Sequence, residues 1–241
     1  MRYAILSDVH GNLEALRAVL ADCRADVDGV LCLGDLVGYG ADPDACVDIL
    51  AGHAATLMAG NHEHVVAGLL SLDWFSPHAR AAAEWTRERL DADQRAYLGA
   101  LPLVTRIEDA TLVHASPSRP EEWDYLVTRE EGLEAFRGFD TRLCFVGHSH
   151  RPGYWSLGSS GGDHHPGGAD FALEHGRRYL VNVGSVGQPR DRDPRAAYAV
   201  WDAEAGRVTV RRVGYDSRAT RRKILAAGLP RFLADRLAHG A

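Results

Sequence analysis

Five short apolar runs in this chain stop at a group able to bind a metal or a proton. Ile5-Leu6-Ser7 leads into Asp8-Val9-His10, and Leu31-Cys32-Leu33 into Gly34-Asp35. Leu57-Met58-Ala59 leads into Gly60-Asn61-His62-Glu63, Leu112-Val113 into His114, and Cys144-Phe145-Val146 into Gly147-His148-Ser149-His150. Runs of this length, closed by glycine and polar residues, predict buried strands. After the first run, Leu13, Leu16 and Leu20 share a helical face that Ala15 and Val19 widen, and Asn12 suits the N-cap. A loop over 38–43 precedes a second helix through Val47, Ile49 and Leu50. The order β-α-β-α-β over strands 2–7, 29–33 and 55–59 implies parallel strands with right-handed crossovers. Sites in such sheets form beyond the carboxyl ends of the strands, where the metal-binding groups stand.

The rhythm breaks at 64–100, which reads as a helical insertion. It turns at Leu72–Pro77 and breaks again at Leu90-Asp91, where Asp91 and Gln94 fit a capping box. Two inserted helices are expected, either as a partial lid or as a pair packed on the sheet. A hairpin follows over 103–107 and 110–113, then a helix near 129–138 and a strand over 142–146. From 152 onward the pattern is β: 152–157, 170–174, 178–183, 195–202 and 206–213. Residues 158–168, rich in glycine, read as a flexible loop tip that exposes His164 and His165. Two short helices, split at Gly228-Leu229-Pro230, close the chain over about 217–239. With no linker and no repeat, residues 1–241 are expected to form one α/β domain. Its two mixed β-sheets should pack face to face, with helices outside.

Composition narrows the class. Of 241 residues, 46% are hydrophobic and 25% charged, which suits a soluble globular chain with a sizeable core. A formal net charge of −6 argues against a general nucleic-acid binder. The basic residues between Arg207 and Lys223 are read as a solvated face. Cys23, Cys32, Cys46 and Cys144 lack zinc-finger spacing and read as small buried hydrophobes in a reducing compartment. Asp8 interrupts the first apolar run, which is too short for a signal peptide, and no stretch approaches a membrane span. A cytoplasmic protein is the expectation.

The convergent donors are two carboxylates, one amide and four imidazoles, with no thiolate. That mixture suits borderline divalent ions rather than calcium or magnesium. Two metal ions are expected to meet these residues, with Asp35 bridging them. Asp-x-His and His-x-His are expected to chelate from one side of an extended segment.

The set Asp8-x-His10, Gly34-Asp35, Gly60-Asn61-His62-Glu63, His114 and Gly147-His148-x-His150 resembles the calcineurin-like metallophosphoesterase family over about residues 1–202. It looks closest to the small prokaryotic phosphodiesterases of that family. The resemblance implies a four-layer α/β/β/α sandwich. It also implies that Asp8, His10, Asp35 and His150 hold one ion, while Asp35, Asn61, His114 and His148 hold the other. Manganese is the first choice, with iron, zinc, cobalt and nickel as alternatives. A shared hydroxide would attack the phosphorus in line, and His62 would protonate the leaving oxygen unless it only hydrogen-bonds Asp35 or Asp8. Glu63, where Asp is usual, and Val183, where Pro is common, are expected to touch no ligand. Asn12, Ser185 and Arg190 are candidate substrate contacts, Asn12 also serving as a helix cap. Asn182 and Gly184 share the turn with Ser185. Tyr39, Trp74, Phe75, Trp123 and Tyr125 could stack a base or simply pack.

The implied activity is hydrolysis of a phosphodiester or of a nucleotide-derived polyphosphate. Alternatives are a phosphomonoesterase, a protein phosphatase or a non-catalytic scaffold of the same fold. The partner expected is a small phosphate ester such as a nucleotide, with no membrane and no stably bound nucleic acid. Two divalent ions, two carboxylates and one hydroxide leave a single positive charge. A diester anion neutralises it and a monoester dianion overshoots it. Diesters are therefore expected to be preferred unless Arg119, Arg151 or Arg190 reaches the phosphate.

Overall fold

The first apolar run is buried on both faces. Along β1 (Arg2–Leu6), Tyr3 and Ile5 enter one hydrophobic cluster, while Ala4 and Leu6 enter another. A strand covered on both sides loses the usual in–out polarity alternation, which is why the run reads as continuously apolar. The computed structural model describes residues 1–167 and 170–241. After β1 come α1 (Leu13–Cys23), β2 (Gly29–Cys32), α2 (Pro43–His53), β3 (Thr56–Leu57), α3 (Asn61–Ala67), α4 (Pro77–Arg89) and α5 (Ala92–Gly99). Then follow β4 (Val104–Ile107), β5 (Ala110–Val113), α6 (Arg129–Ala135), β6 (Leu143–Val146), β7 (Gly153–Gly158), β8 (Gly161–Pro166) and β9 (Asp170–Ala172). The chain continues through β10 (Arg178–Asn182), β11 (Ala196–Asp202), β12 (Arg207–Val213), α7 (Ser217–Ala226) and α8 (Arg231–Arg236).

These strands form two mixed six-stranded sheets, ordered β3-β2-β1-β11-β12-β9 and β4-β5-β6-β10-β7-β8. In the first, β1 pairs in parallel with β2 and antiparallel with β11. In the second, β6 lies parallel to both β5 and β10. Ile5, Leu31, Leu33, Met58 and Trp201 meet Leu112, Phe145 and Val181 between the sheets. Each such side chain contributes about 1.5–3 kcal/mol on burial. Leu13, Leu16 and Val19 of α1, with Val47 and Leu50 of α2, cover the outer face of the first sheet. Ala135 and Phe136 at the end of α6 pack with Val146, Trp155 and Leu180 on the outer face of the second. This is the four-layer sandwich.

The predicted elements match apart from a residue or two at their ends, with two differences. The insertion holds three helices rather than two, because α3 begins at Asn61 itself. The predicted capping box at α5 is present: Gln94 N donates to Asp91 Oδ1 at 2.8 Å, and Asp91 N to Gln94 Oε1 at 3.2 Å. The insertion packs on the core and also lines a cleft. Val66, Leu90 and Leu98 are buried in the core, while Leu70, Trp74, Phe75 and Ala79 line a cleft.

The second difference is the stretch read as a flexible loop tip. Residues 161–166 are a strand paired with β7, with Trp155 opposite His164 and Tyr154 opposite His165. Both histidine rings stack on those aromatics with centroids 4.4 Å apart. Cross-strand stacking gave this glycine-rich segment its pairing, and only the turn at 159–160 remains a tip. Gly168 lies outside the described residues. All four cysteines are buried and free, and among the described residues no helix is long and apolar enough to cross a membrane. The basic run at 207–223 is not simply solvated. Arg207 meets Asp170, Arg211 meets Asp22 and Asp26, and Lys223 meets Glu14 and Asp42.

Candidate metal centre and its cleft

The turns that follow β1, β2, β5 and β6 are stitched to one another through the backbone. Asp8 N donates to Gly34 O at 3.0 Å, His10 N to Asp35 O at 2.9 Å, and Gly147 N to His114 O at 2.9 Å. The ligand segments are not extended, as the Asp-x-His spacing suggested. Asp8, His10, Asp35, His148 and His150 all have left-handed backbones, with φ between 51° and 63°. Each such non-glycine residue costs about 1–3 kcal/mol, and strain of this kind gathers at functional sites. The Asp8-x-His10 turn brings both its side chains to one donor group, while His148 and His150 go to different groups.

The two carboxylates are divided in the same way. Asp8 Oδ2 accepts from His148 N at 3.0 Å, and Asp35 Oδ1 accepts from His62 N at 3.0 Å. Their other oxygens face imidazoles. His150 Nε2 lies 3.1 Å from Asp8 Oδ1, His10 Nε2 3.6 Å and His114 Nε2 3.3 Å from Asp35 Oδ2. Three histidines are anchored from behind. His10 Nδ1 meets Val37 O at 3.1 Å, His114 Nδ1 meets Leu33 O at 3.1 Å, and His150 Nδ1 meets Gln188 O at 2.6 Å. A carbonyl can only accept, so each Nδ1 carries a proton and, in the neutral ring, each Nε2 is left as a donor atom for metal.

Two groups result. Asp8, His10, Asp35 and His150 place their donor atoms within 4.8 Å of one another, and so do Asp35, His114 and His148. Asp35 belongs to both.

The residues fit metal on three counts. His10 Nε2 and His150 Nε2 are 3.1 Å apart, and with each Nδ1 held to a backbone carbonyl one shared ion would satisfy both nitrogens. Asp8 Oδ1, Asn61 Oδ1, His114 Nε2 and His148 Nε2 are buried with no hydrogen-bond partner, a cost that native interiors avoid unless something else is bound. The donors are oxygen and imidazole nitrogen, the set that suits borderline divalent ions.

The electrostatics agree. Burial pushes the Asp8 and Asp35 pKa values up, but the surrounding histidines outweigh it and hold both well below the usual carboxylate range. Burial lowers His148 to about 3 and His150 to about 4, so both are neutral donors. His114 moves the other way, to about 9, because Asp35 overcomes its burial. Its proton is the charge that a divalent ion would displace.

His62 is fully enclosed by Tyr39, His10 and Phe75, with ring centroids 4.6, 4.8 and 4.7 Å away. Burial lowers its pKa well below the ordinary value. Its Nδ1 has no partner and lies against Gly38, where an added Cβ would come within 2.1 Å. Its backbone N–H, not its ring, holds Asp35.

The substrate candidates separate. Asn12 is spent internally: its Oδ1 accepts from Ala15 N and Thr220 Oγ1, and its Nδ2 donates to Gly187 O. Ser185 Oγ donates to Asp8 O and accepts from Gln188 N, both at 2.8 Å. Asn182 Nδ2 donates to Gly147 O and Ser149 Oγ, and its Oδ1 accepts from Gly184 N. All three brace the ligand turns. Only Arg190 borders the cleft of about 480 Å³ that reaches His62, Asn61 and His148. Arg119 is paired with Glu122 and Asp124, and Arg151 donates to Arg190 O. Of the aromatics, Tyr39 is half-buried, Tyr125 stacks on His148 at 4.1 Å, and Trp74 stands 78% exposed at the cleft rim.

Glu63 corrects an expectation. It was read as touching no ligand, yet its carboxylate accepts from the backbone N–H groups of Asp35 at 2.7 Å, Leu36 at 2.8 Å, Val37 at 3.2 Å and Gly60 at 2.7 Å. It fixes the turn that carries Asp35. Burial and the neighbouring Asp35 charge raise it to about 7. The readable signal was Glu at the third position of a helix opening at Gly60. Gln188 and Arg236 were also missed as parts of the site. Both owe their place to tertiary contacts.

Two packed mixed sheets, with strand ends meeting at two Asp/His groups, define the metallophosphoesterase class of fold. The family model for the calcineurin-like phosphoesterase superfamily domain matches residues 1–206, and the chain belongs to that family. A metallophosphoesterase from Sphaerobacter thermophilus is 43% identical and superposes with a TM-score of 0.88 over 100% of this chain and 99% of that one. An uncharacterized protein from Methanocaldococcus jannaschii is 37% identical over 97% of this chain and 96% of its own length. A symmetrical bis(5'-nucleosyl)-tetraphosphatase from Sodalis glossinidius is 28% identical over 65% of this chain and 58% of its own.

Proposed function

We propose that the protein is a binuclear metal-dependent phosphoesterase that hydrolyses phosphodiester or nucleotide-derived polyphosphate bonds. The observation that carries this reading is Asp35, a buried carboxylate shared by two donor groups. Asp8, His10, Asp35 and His150 hold one divalent ion; Asp35, Asn61, His114 and His148 hold the other; manganese is our first choice. When bound, such a pair supplies a hydroxide nucleophile at neutral pH and a clamp on the phosphoryl oxygens.

The chain's own residues do the rest. The Nδ1 anchors fix each imidazole before substrate arrives, so little reorganisation is left for the reaction. His62 is assigned the acid role through Nε2, the ring nitrogen not pressed against Gly38. Burial keeps the free ring neutral, so the negative charge of bound phosphate must first draw a proton onto it, which it then gives to the leaving oxygen. Arg190 binds phosphate from the cleft wall.

The cleft also bears on the substrate. A site with no arginine would favour a diester monoanion over more highly charged phosphates. Arg190 and Arg236 both line this cleft, which favours the polyphosphate half of the proposal over simple diesters. The nucleotide tetraphosphatase relative agrees with that choice. The test is a hydrolysis screen with manganese supplied, over aryl diesters, aryl monoesters and dinucleoside polyphosphates. Turnover of one class, abolished by a chelator and restored by metal, is expected. No turnover of any class would overturn the proposal.

A further inference from the structure

We infer that Arg190 and Arg236 form a subsite for a second phosphate, so that this cleft selects substrates carrying a chain of phosphates. The inference deepens the function proposed above and rests on it. It names a specificity residue, Arg236, in α8, beyond the residues 1–206 that the family model matches.

The two guanidinium groups share one neutral acceptor. Arg190 Nη2 donates to Gln188 Oε1 at 3.0 Å, and Arg236 Nη1 donates to the same oxygen at 2.9 Å. Gln188 is buried, and its backbone carbonyl is the one that anchors His150. The arginine pair is therefore tied through one residue to a metal ligand. Arg190 also reaches Tyr39 OH at 3.5 Å, and the Tyr39 ring stands 4.5 Å from His10. Tyr39 thus stands between Arg190 and the donor groups.

Two like charges held this way repel each other, more so where water is partly excluded. Burial and the charge of Arg190 bring Arg236 down to about 10. Neighbouring cations are compensated: Arg195 meets Asp193, Arg212 meets Asp191, and Arg221 and Arg231 meet Asp235. Among the described residues neither Arg190 nor Arg236 meets a carboxylate side chain. Arg236 Nε donates to the backbone oxygen of Ala241, and Arg190 Nε is buried without a partner. Glu122 and Asp124, which also line the cleft, are taken by Arg119. Arg190, with no carboxylate against it, leaves the pair net positive at the cleft, and paired guanidinium forks match phosphate oxygens.

The test is calorimetric binding of orthophosphate and tripolyphosphate to the full chain, with manganese in constant excess over both ligands. Wild-type protein should bind tripolyphosphate at least about tenfold more tightly than orthophosphate, a difference of about 1.4 kcal/mol. Arg236→Gln and Arg190→Gln should each remove most of that preference, and Arg236→Lys, which keeps the charge, should retain part of it. Equal weakening of both ligands, or an unchanged preference in both Gln variants, would overturn the subsite. Thermal unfolding of each variant identifies a loss caused by misfolding, in which case the Lys variant decides. Hydrolysis of bis(p-nitrophenyl) phosphate, with a single phosphate, is run alongside. A dinucleoside polyphosphate is assayed with it, and no hydrolysis of either by wild type counts against the phosphoesterase proposal, whereas hydrolysis by a wild type that shows no tripolyphosphate preference counts against the subsite alone.

Discussion

Each carboxylate at the centre gives one oxygen to a backbone amide and turns the other to the imidazoles, and Asp35 alone serves both groups. Asp35→Asn keeps an acceptor for His62 N but removes the shared charge. Purified Asp35→Asn should lose at least one ion by elemental analysis, together with turnover; two tightly bound ions and full activity would refute the bridging role. His62→Ala should keep its metal and lose turnover by about 100- to 10,000-fold. That loss should shrink for nitrophenolate leaving groups, which need little protonation. An equal loss for good and poor leaving groups would make His62 a positioning residue. Glu63→Ala removes one acceptor from four buried backbone donors, each costing about 1–3 kcal/mol when unmade. We expect a loss of roughly 4 kcal/mol or more, within the range that marks a broken buried network. Urea unfolding midpoints would measure it, and a change under 1 kcal/mol would mean that the Asp35 turn holds itself.

At the scale of elements, turns and strands differ in how much change they absorb. The turn after β6 passes so close to the turn after β1 that an added Cβ at Gly147 would lie 2.0 Å from Ser7 Oγ and 2.5 Å from Asp8 Oδ2. Gly147→Ala should therefore displace Asp8 and abolish tight binding of one ion, read by metal titration; unaltered binding would show that the turn can move aside. The β7–β8 hairpin is far more tolerant. His164→Ala removes one stacked pair with Trp155, worth about 0.5–1.5 kcal/mol, and should leave turnover untouched. The two elements also differed in legibility. The turns carried their ligands in plain sequence, whereas β8 was hidden because Gly161-Gly162-Asp163-His164-His165 lacks any apolar alternation.

Across the whole molecule, the residues of the candidate metal centre come from both sheets. Asp8, His10, Asp35 and Asn61 follow strands of the first sheet, while His114, His148 and His150 follow strands of the second. Bound metal should therefore stabilise the entire sandwich. At a free concentration 100 times Kd the gain is about 2.7 kcal/mol. That corresponds to roughly 5–10 °C in Tm for a chain of this size. Calorimetry with manganese and with chelator would measure it, and identical transitions would mean that these residues do not hold metal in the folded state.

The sequence by itself determined the strands, most of the helices and which donor side chains stand at the strand ends of the candidate metal centre. Buried strands must be apolar, and a group able to hold a divalent ion must be Asp, His or Asn, so both leave marks that position alone can reveal. Asp8, His10, Asp35, Asn61, His114, His148 and His150 were readable for that reason. Tertiary structure decided what depends on contacts between distant segments. It spent Asn12 and Ser185 on internal hydrogen bonds and put Glu63 beneath the Asp35 turn. It also carried Arg236 from the last helix to within reach of Gln188. Hydrogen-bond partners and close charges are set by the packing of sheets and helices, and a polar side chain reads the same in sequence whether it braces a turn or faces a substrate.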